Sequence, residues 1–453
     1  MKNTLPILSF INYCLLFIVY CFSFSPAGAQ TLWTIDDCIS YAMQNNITLQ
    51  KSRLRLQSAA EEVRASKGAL LPTVNANTSQ NLGYRPWQDA GMATVTNGQV
   101  NTKVDKTYYN GSYGLNAQWT VWNGNKNRNN LRLARLSEQQ AELDVQEQAN
   151  SIQERIAQLF VQCLYLHEAI GVSEASLETS QKNENRGKEM VEVGKMSKAD
   201  LAQLTAQRAT DEYGIVEAQS QLATCKLQLK QLLELTGDQQ FDIAIPPTTD
   251  ADALAAIPAL QTVYEQALAT RPEIGNKKLA IESSNVSLAV AKAGWLPTVN
   301  VSGGFTSSTN SLASNSWGNQ MKTNTNMSAG LTLSVPIFDG WQTRSSVNKA
   351  KISQQQAQLD LLDQQKTLYQ TIEDYWLNAT TNQQKFRAAT VSVESEQQSY
   401  DLLNEKFALG LTNIIELLQG KDKLLAAQQN QLQSKYMTLL NLQLLRFYAG
   451  QYQ

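Results

Sequence analysis

Few residues of this chain have the type and spacing that catalysis needs. The only histidine, His167, lies among Leu164, Tyr165 and Leu166 in the middle of a predicted helix, which is a poor setting for an acid–base group. The 453 residues contain no phosphate-binding loop, metal-ligand cluster or nucleophile motif. We therefore expect a protein that is not an enzyme and that uses no cofactor or metal.

Cysteine chemistry is not expected either. Cys38, Cys163 and Cys225 are widely spaced, and all three fall on predicted helices. This spacing matches neither a disulfide framework nor a zinc site. We predict that the three side chains act as small buried hydrophobic groups.

The N-terminal residues are typical of an exported protein. Lys2 precedes an apolar run over 7–24 and small residues end at Ala29, so we predict a signal peptide over 1–29, with a retained membrane helix as the alternative. Cys21 does not follow small residues, so no lipid anchor is expected. The remaining chain has no uncharged apolar run of about 18 residues, so it is either soluble or crosses an outer membrane as β-strands.

The balance of charged residues argues against nucleic-acid binding. The chain has 38 Lys and Arg residues against 40 Asp and Glu residues. This near-neutral balance provides no basic footprint, so nucleic acid is not an expected partner.

Two long helical hairpins are predicted to hold most of the chain. The first begins with a proline-free run over 124–191, which as a helix spans on the order of 100 Å. Its apolar residues recur at spacings of three and four: Ile152, Ile156, Leu159, Cys163, Leu166 and Ile170. So narrow an apolar stripe indicates a coiled-coil partner helix, which we predict over 199–235, after a tip near Gly194.

Four strands are predicted at 72–84, 108–123, 297–310 and 325–339. Apolar residues alternate with small polar ones along them, which is typical of a sheet that is wet on one face. Tryptophans lie where the strands meet helices: Trp119, Trp122, Trp295 and Trp341. This placement favours the aromatic girdles of a membrane barrel, with the ends of a soluble barrel or sandwich as the alternative.

The order of elements occurs twice. Leu71–Asn75 and Leu296–Asn300 share the sequence Leu-Pro-Thr-Val-Asn, and Gly194 has its counterpart in Gly410, near which we predict the second hairpin tip. The chain therefore shows an internal two-fold repeat of one structural unit.

We predict a first repeat over 30–235, a connector over 236–258 and a second repeat over 259–453. The first repeat begins with a helix predicted over 33–69, and the polar stretch over 85–106 and the Ser/Asn-rich stretch that ends at Gly318 are predicted as loops. The fold class is mainly α with membrane β. A closed barrel in lipid needs about eight strands or more, because an open edge leaves backbone groups unsatisfied. Four strands per chain must then be shared: two copies supply eight, and three copies supply twelve with room for a channel.

These features resemble the TolC-like outer-membrane efflux family. The resemblance rests on the doubled layout, the Leu-Pro-Thr-Val-Asn motif, the Val-Pro-Ile-Phe-Asp-Gly turn at 335–340 and the two tip glycines, Gly194 and Gly410. It covers about Trp33 to Tyr448. It implies a homotrimer with a twelve-strand barrel in outer-membrane lipid and a twelve-helix periplasmic tube. It also implies docking to a periplasmic adaptor (membrane fusion) protein and an inner-membrane pump.

The resemblance also implies site residues at the tips. In this family acidic rings face the lumen on the helix after the second tip glycine, and the matching residues are Glu416 and Gln419. Phe407 and Thr412 match an aromatic and a basic latch residue, and Asp200 matches a residue that pairs between neighbouring chains. Because Gln419 is neutral, Phe407 lacks a hydroxyl and Thr412 lacks a charge, we expect one missing acidic ring and fewer polar closing links.

Each of these residues also has a purely structural interpretation. Glu416 is then a solvated helix charge, Phe407 packs within its hairpin, and Asp200 is a first-turn carboxylate beside a predicted N-cap, Ser197. Thr120 replaces the proline of the second-copy turn, so the first strand-to-helix junction is expected to bend differently.

The leading hypothesis is a passive, trimeric outer-membrane exit duct for small molecules in a tripartite efflux system. Glu416 would bias its narrow end toward cations, and opening would need the hairpin that ends at Gly410 to swing outward. A duct for type I protein secretion or polysaccharide export shares the fold and differs in cargo. A periplasmic coiled-coil scaffold or adaptor without a pore is the alternative of another class.

Overall fold

The computed structural model describes residues 32–87, 94–96, 99–101, 106–236 and 241–451. The predicted signal peptide lies outside these residues. In the described ranges, no helix is both long enough and apolar enough to cross a membrane.

The chain is mainly helical, with one sheet of long strands. The helices are α1 (Ile35–Asn45), α2 (Ile47–Gly68), α3 (Lys126–Glu192), α4 (Lys198–Leu232), α5 (Asp250–Ala253), α6 (Leu260–Thr270), α7 (Pro272–Lys292), α8 (Trp317–Thr323), α9 (Gln342–Ala408) and α10 (Ile414–Tyr448). The strands are β1 (Leu32–Trp33), β2 (Thr73–Tyr84), β3 (Thr94–Thr96), β4 (Gln99–Asn101), β5 (Thr107–Trp122), β6 (Asp242–Ile243), β7 (Thr298–Asn310) and β8 (Asn326–Ser334).

Helices α3 and α4 form the first hairpin, and α9 and α10 form the second. In each hairpin the outgoing helix has 67 residues and the returning helix has 35. Both are rich in Leu, Ala and Gln, which lose little rotamer freedom in a helix. The equal lengths are consistent with the repeat predicted from the sequence.

Strands β2, β5, β7 and β8 form an antiparallel sheet in that order. Its register places Val74 opposite Ala117 and Asn75 opposite Asn116, so apolar residues share one face and polar residues share the other. The apolar face carries large exposed side chains, including Leu115, Val301 and Met327. The alternating pattern thus holds on all four strands toward the end of the sheet that carries the tryptophans, whereas Thr78, Gln80, Ser307 and Thr309 lie on the same face farther along.

The fourth strand is shorter than the range 325–339 predicted from the sequence. It ends at Ser334, whose partner is Thr298 on β7. Pro336 follows, and proline has no N–H to donate to a sheet, so pairing stops before it.

Two polar stretches that the composition predicts as loops contain regular structure. In 85–106, β3 and β4 pair in antiparallel fashion, with Val95 opposite Val100. The sequence between these strands is Asn97-Gly98, a strong signal for a tight hairpin that the loop prediction overlooked. In the Ser/Asn-rich stretch after β7, α8 forms a short helix and the Gln320 side chain donates to Asn315 O at 2.7 Å.

The single helix predicted over 33–69 is broken at Asn46. This residue is extended and ends α1, and its Oδ1 accepts hydrogen bonds from the backbone N–H groups of Thr48 at 3.0 Å and Leu49 at 3.1 Å. Asn46 therefore caps α2, and one apolar pattern is divided between two helices.

The chain forms two compact units. The first contains the described residues up to Leu49 together with 149–267 and 370 onward. Its core includes Cys38 and Cys163, both 0% exposed, and Cys225 at 3%, so the prediction of buried cysteines is confirmed. In this unit the connector residues pair as β6 with β1, and Gln383 Nε2 donates to Ala253 O at 3.0 Å.

The second unit contains 50–148 and 268–369, including the sheet. Its helices are tied by polar contacts between α3 and α7. Arg132 Nη2 lies 2.6 Å from Glu282 Oε1, and Asn276 Nδ2 donates to Asp144 Oδ1 at 2.7 Å.

Candidate aperture at the hairpin tips

A glycine in a left-handed conformation forms each hairpin tip. Gly194 and Gly410 both have φ of 73°, a region that other residues rarely adopt. Beyond them, Lys195 N donates to Met190 O at 2.7 Å and Leu411 N donates to Lys406 O at 2.8 Å. These bonds satisfy carbonyls at the helix ends, so the two tips terminate their helices in the same way.

Each returning helix begins with a polar cap and an acidic residue at equivalent positions. Ser197 Oγ accepts from Asp200 N at 3.1 Å, and Asn413 Oδ1 accepts from Glu416 N at 2.9 Å. The N-cap role predicted for Ser197 is confirmed. The helix dipole favours a carboxylate in this first turn, so both acids have a local reason to be there.

Glu416 is exposed, and its carboxylate is bonded within its own tip. Thr412 Oγ1 donates to Glu416 Oε2, and Asn413 Nδ2 donates to Oε1 at 3.3 Å. Thr412, for which the sequence predicts a match to a latch position, is therefore engaged with the adjacent acid inside one hairpin. Gln419, on the next turn, is exposed.

Phe407 is only 3% exposed and lies in an apolar cluster that joins both hairpins. Its partners are Leu204, Tyr400, Ile414, Leu417 and Leu424. The cluster thus holds Leu204 of the first hairpin against residues of the second, and a side chain in such an apolar cluster needs no phenol hydroxyl.

A buried ion pair beside this cluster also joins the two hairpins. Lys421 Nζ contacts Asp211 Oδ2, and their side chains are 3% and 5% exposed. Ser180 Oγ donates to the same carboxylate oxygen, and Gln207 Nε2 donates to Oδ1 at 3.2 Å. Residues of α3, α4 and α10 therefore share one buried polar network.

Sequence reasoning missed this pair, although a signal was present. Lys421 lies between Leu417 and Leu424 in the buried stripe of α10. Asp211 lies between Leu204 and Ile215 in the buried stripe of α4. A charge at a seam position needs a buried partner, so each of these residues signals a polar contact within the seam, although the sequence does not say which residue provides it.

Two further polar links join α3 to α9 nearer the tips. Asn183 Nδ2 donates to Tyr400 OH at 3.0 Å, and Arg186 Nη1 donates to Asn404 Oδ1 at 3.0 Å. Burial raises the pKa of the Tyr400 phenol, so this group stays neutral and available for hydrogen bonding.

The four predicted interface tryptophans lie in the second unit, at one end of the sheet. Trp119 and Trp122 belong to β5, Trp295 lies in the 3₁₀ turn before β7, and Trp341 precedes α9 with φ of 69°. All are exposed, from 38% for Trp122 to 60% for Trp341. Trp119 Nε1 donates to Leu70 O at 2.9 Å, which fixes this ring beside the turn before β2.

The described residues include no group of three or more His, Cys, Asp or Glu side chains placed to hold a metal ion. The chemistry available at the tips is that of exposed carboxylates, amides and apolar groups. Exposed carboxylates can attract cations, and exposed apolar groups can contact another protein. The buried charges can hold the two hairpins in register.

Comparison with known proteins finds one family over both halves of the chain. The model of the outer membrane efflux protein family matches residues 38–234 and 263–451. The outer membrane efflux protein BepC of Brucella suis is 22% identical over 397 residues, which cover 87% of this chain and 80% of that protein. The outer membrane protein TolC of Vibrio cholerae is 21% identical over 428 residues, covering 93% and 92%.

Solved structures share the fold. The channel CusC superposes with a TM-score of 0.78 at 18% identity, covering 92% of this chain and 91% of that one. The outer membrane protein VceC of Vibrio cholerae gives a TM-score of 0.74 at 17% identity, covering 92% and 96%. Because the family model covers far more than half of the residues, the chain belongs to the outer membrane efflux protein family.

Proposed function

We propose that this protein is the outer-membrane exit duct of a tripartite efflux system and passively conducts small molecules to the exterior. The observation that carries the proposal is the two-faced sheet. One face exposes large apolar side chains such as Leu331, 71% exposed, and Leu333, 63% exposed, while the other carries amides and hydroxyls. A sheet with one lipid-compatible face and one wet face suits a membrane pore wall.

The duct is assembled from three copies. Strands β2 and β8 are the edges of the sheet, and among the described residues neither has a strand paired on its outer side. Lipid offers no partners for these groups, so edges must pair with neighbouring copies. Three chains supply twelve strands, enough to enclose a channel, and a homotrimer follows.

The tips are the proposed docking surface for a periplasmic adaptor protein that connects the duct to an inner-membrane pump. Apolar side chains are exposed there, with Val193 at 67%, Leu409 at 74% and Leu411 at 72%. Exposed apolar groups at a helix-hairpin end favour contact with another protein. The energy for transport then comes from the pump, and this chain performs no chemical step.

Glu416 supplies the negative charge at the aperture of the duct. In a trimer, three copies of this exposed carboxylate line the narrow end and favour cations, while the neutral Gln419 adds nothing. Opening requires the α9–α10 hairpin to move away from α3 and α4, which breaks the Lys421–Asp211 and Asn183–Tyr400 links.

Planar-bilayer recording tests the aperture. Glu416→Lys is expected to lower or reverse the cation preference of the conductance, and Gln419→Glu, one turn away, is expected to raise it. Unchanged selectivity in both variants would place the aperture elsewhere.

A photo-crosslinker at Leu411, read by mass spectrometry in intact cells, tests the partner. Capture of an adaptor supports the duct, and the pump which that adaptor serves distinguishes drug efflux from secretion. Extraction without detergent and an absence of conductance would instead indicate a periplasmic scaffold.

A further inference from the structure

The polar face of the sheet has an unusual composition for a surface in contact with water. Across the strands, its neighbouring residues pair as Asn75 with Asn116, Thr120 with Asn300, and Asn300 with Thr332. The other residues at alternate positions on this face are almost all Asn, Gln, Ser, Thr or Gly. The face is therefore built from amides and hydroxyls.

Neither face carries a charge. Asp, Glu, Lys and Arg make up 17% of the chain, yet none of them occurs in β2, β5, β7 or β8. Contact with lipid accounts for this on the apolar face, where a charge costs several kcal/mol at the midplane. Contact with water places no such restriction on the polar face, so its neutrality needs another reason.

The polar side chains also lie along the sheet. Asn116 Nδ2 donates to Asn77 Oδ1 at 2.8 Å, and Thr120 Oγ1 donates to Asn300 Oδ1 at 2.8 Å. A Cβ added at Gly114 would lie 2.7 Å from Asn77 Oδ1, so that amide occupies the space above the glycine. Asn77 and Asn116 thus bond to each other with Asn77 lying over Gly114, and Thr120 bonds to its cross-strand neighbour Asn300, so these polar groups are engaged with the sheet itself.

We propose that this face is a neutral lining that does not discriminate cargo by the sign of its charge. The inference rests on the proposed duct function and concerns the segment of the duct formed by the sheet. Fixed charges in a pore enrich counter-ions within a Debye length of about 8 Å at physiological salt. A wall without them favours neither anionic nor cationic solutes, and amides that bond to one another retain polar solutes only weakly.

Charge selection is then made by the helices, and the sheet lets solutes of either sign leave. The chemical class of cargo that suits this segment is broad: polar or amphiphilic molecules, anionic, cationic or uncharged. Cargo specificity must be imposed before the solute reaches the sheet.

The test measures zero-current potentials of the purified protein in planar bilayers under a KCl gradient. Asn116→Asp is expected to shift the potential toward cation preference, and Asn116→Lys is expected to shift it by a similar amount toward anions. Each should change the permeability ratio by about twofold or more, because a trimer gains three charges. Asn116→Gln, which keeps the face neutral, is the control and should leave the potential unchanged.

Thr332→Asp and Thr332→Lys repeat the test on β8, so a folding defect at one site does not decide the result. A conducting protein whose potential responds to neither charge would show that this face does not line the pathway. A large response to one sign only would reveal a standing charge and would also overturn the inference. If the wild-type protein itself does not conduct, the duct function fails rather than the neutral lining.

Discussion

At the level of single residues, the buried Lys421–Asp211 pair of the first unit joins the two hairpins by their charges. Its two charges occupy seam positions that are otherwise apolar, and both are almost fully buried. Removing one partner leaves a buried charge without compensation, which costs about 3–5 kcal/mol. We therefore expect Lys421→Met to lower the denaturation midpoint strongly, as followed by helical circular dichroism of the purified protein in detergent.

Two further variants make this prediction specific. Lys423→Met, at an exposed position of the same helix, should change the midpoint little. The double variant Lys421→Met with Asp211→Leu should recover much of the loss, because apolar side chains suit the seam. Equal losses in the single and double variants would contradict a role for the ion pair.

The buried cysteines give a second residue-level prediction. Burial, followed by the nearby charge of Asp37, raises the pKa of the Cys38 thiol to about 12, so the reactive thiolate is scarce at neutral pH. Because all three side chains are buried, we expect Cys38, Cys163 and Cys225 to resist alkylation in the native protein and to react together on unfolding. Mass spectrometry of labelled peptides measures this, and fast labelling of Cys163 before unfolding would disagree with its 0% exposure.

At the level of elements, each hairpin has a glycine on one helix that faces a leucine on the other, and the two residues change places between the first hairpin and the second. In the first, a Cβ at Gly187 of α3 would lie 2.6 Å from Leu204 Cδ1 of α4. In the second, the leucine is Leu403 of α9 and the glycine is Gly420 of α10, again at 2.6 Å. Each glycine admits the facing leucine, so the helices approach closely near both tips.

This arrangement predicts a compensating swap. Gly420→Leu should overpack the second hairpin and cost about 1–3 kcal/mol, seen as a lower denaturation midpoint. Adding Leu403→Gly recreates the arrangement of the first hairpin and should restore part of the stability, measured against wild type and both single variants. A double variant no better than Gly420→Leu alone would show that the close approach is not reciprocal.

At the level of the whole molecule, the proposed trimer would pair the open edges of the sheet with those of neighbouring copies. Strands β2 and β8 have no partner on their outer sides within the sheet that the structure describes. We expect native mass spectrometry of the detergent-purified protein to give three copies of the chain, because twelve strands can close around a channel. A monomer that still conducts would contradict this proposal, since an open four-stranded sheet cannot line a pore.

Fold class was accessible from the sequence because it depends on periodic, local patterns, and the family was accessible from the doubled layout and the short motifs that carry the resemblance. Helical spacing over 124–191 predicted α3, which runs from Lys126 to Glu192, and alternation predicted strands close to β2, β5 and β7. Ser197 was recognisable as an N-cap because capping depends on residues three apart. The site roles of Glu416, Gln419, Phe407, Thr412 and Asp200 came from resemblance and remain predictions.

Several local features were missed although the sequence contains their signals. The break at Asn46 and the Asn97-Gly98 hairpin signal were overlooked within longer patterns, and Pro336 ended a strand that alternation alone extended to 339. Asn46 and Pro336 each interrupted a periodic pattern that the prediction continued past them, whereas the Asn97-Gly98 signal was passed over because the stretch around it is polar in composition.

Only the tertiary structure decided which distant residues meet. Asp211 and Lys421 lie 210 positions apart, and Asn183 and Tyr400 lie 217 apart, so no local pattern relates them. The same holds for the amides that lie across the glycines of the sheet, since cross-strand neighbours are set by register. The sequence by itself determined the elements and their faces, because these follow from backbone geometry, whereas the partner of each buried polar group follows only from how the helices and strands pack.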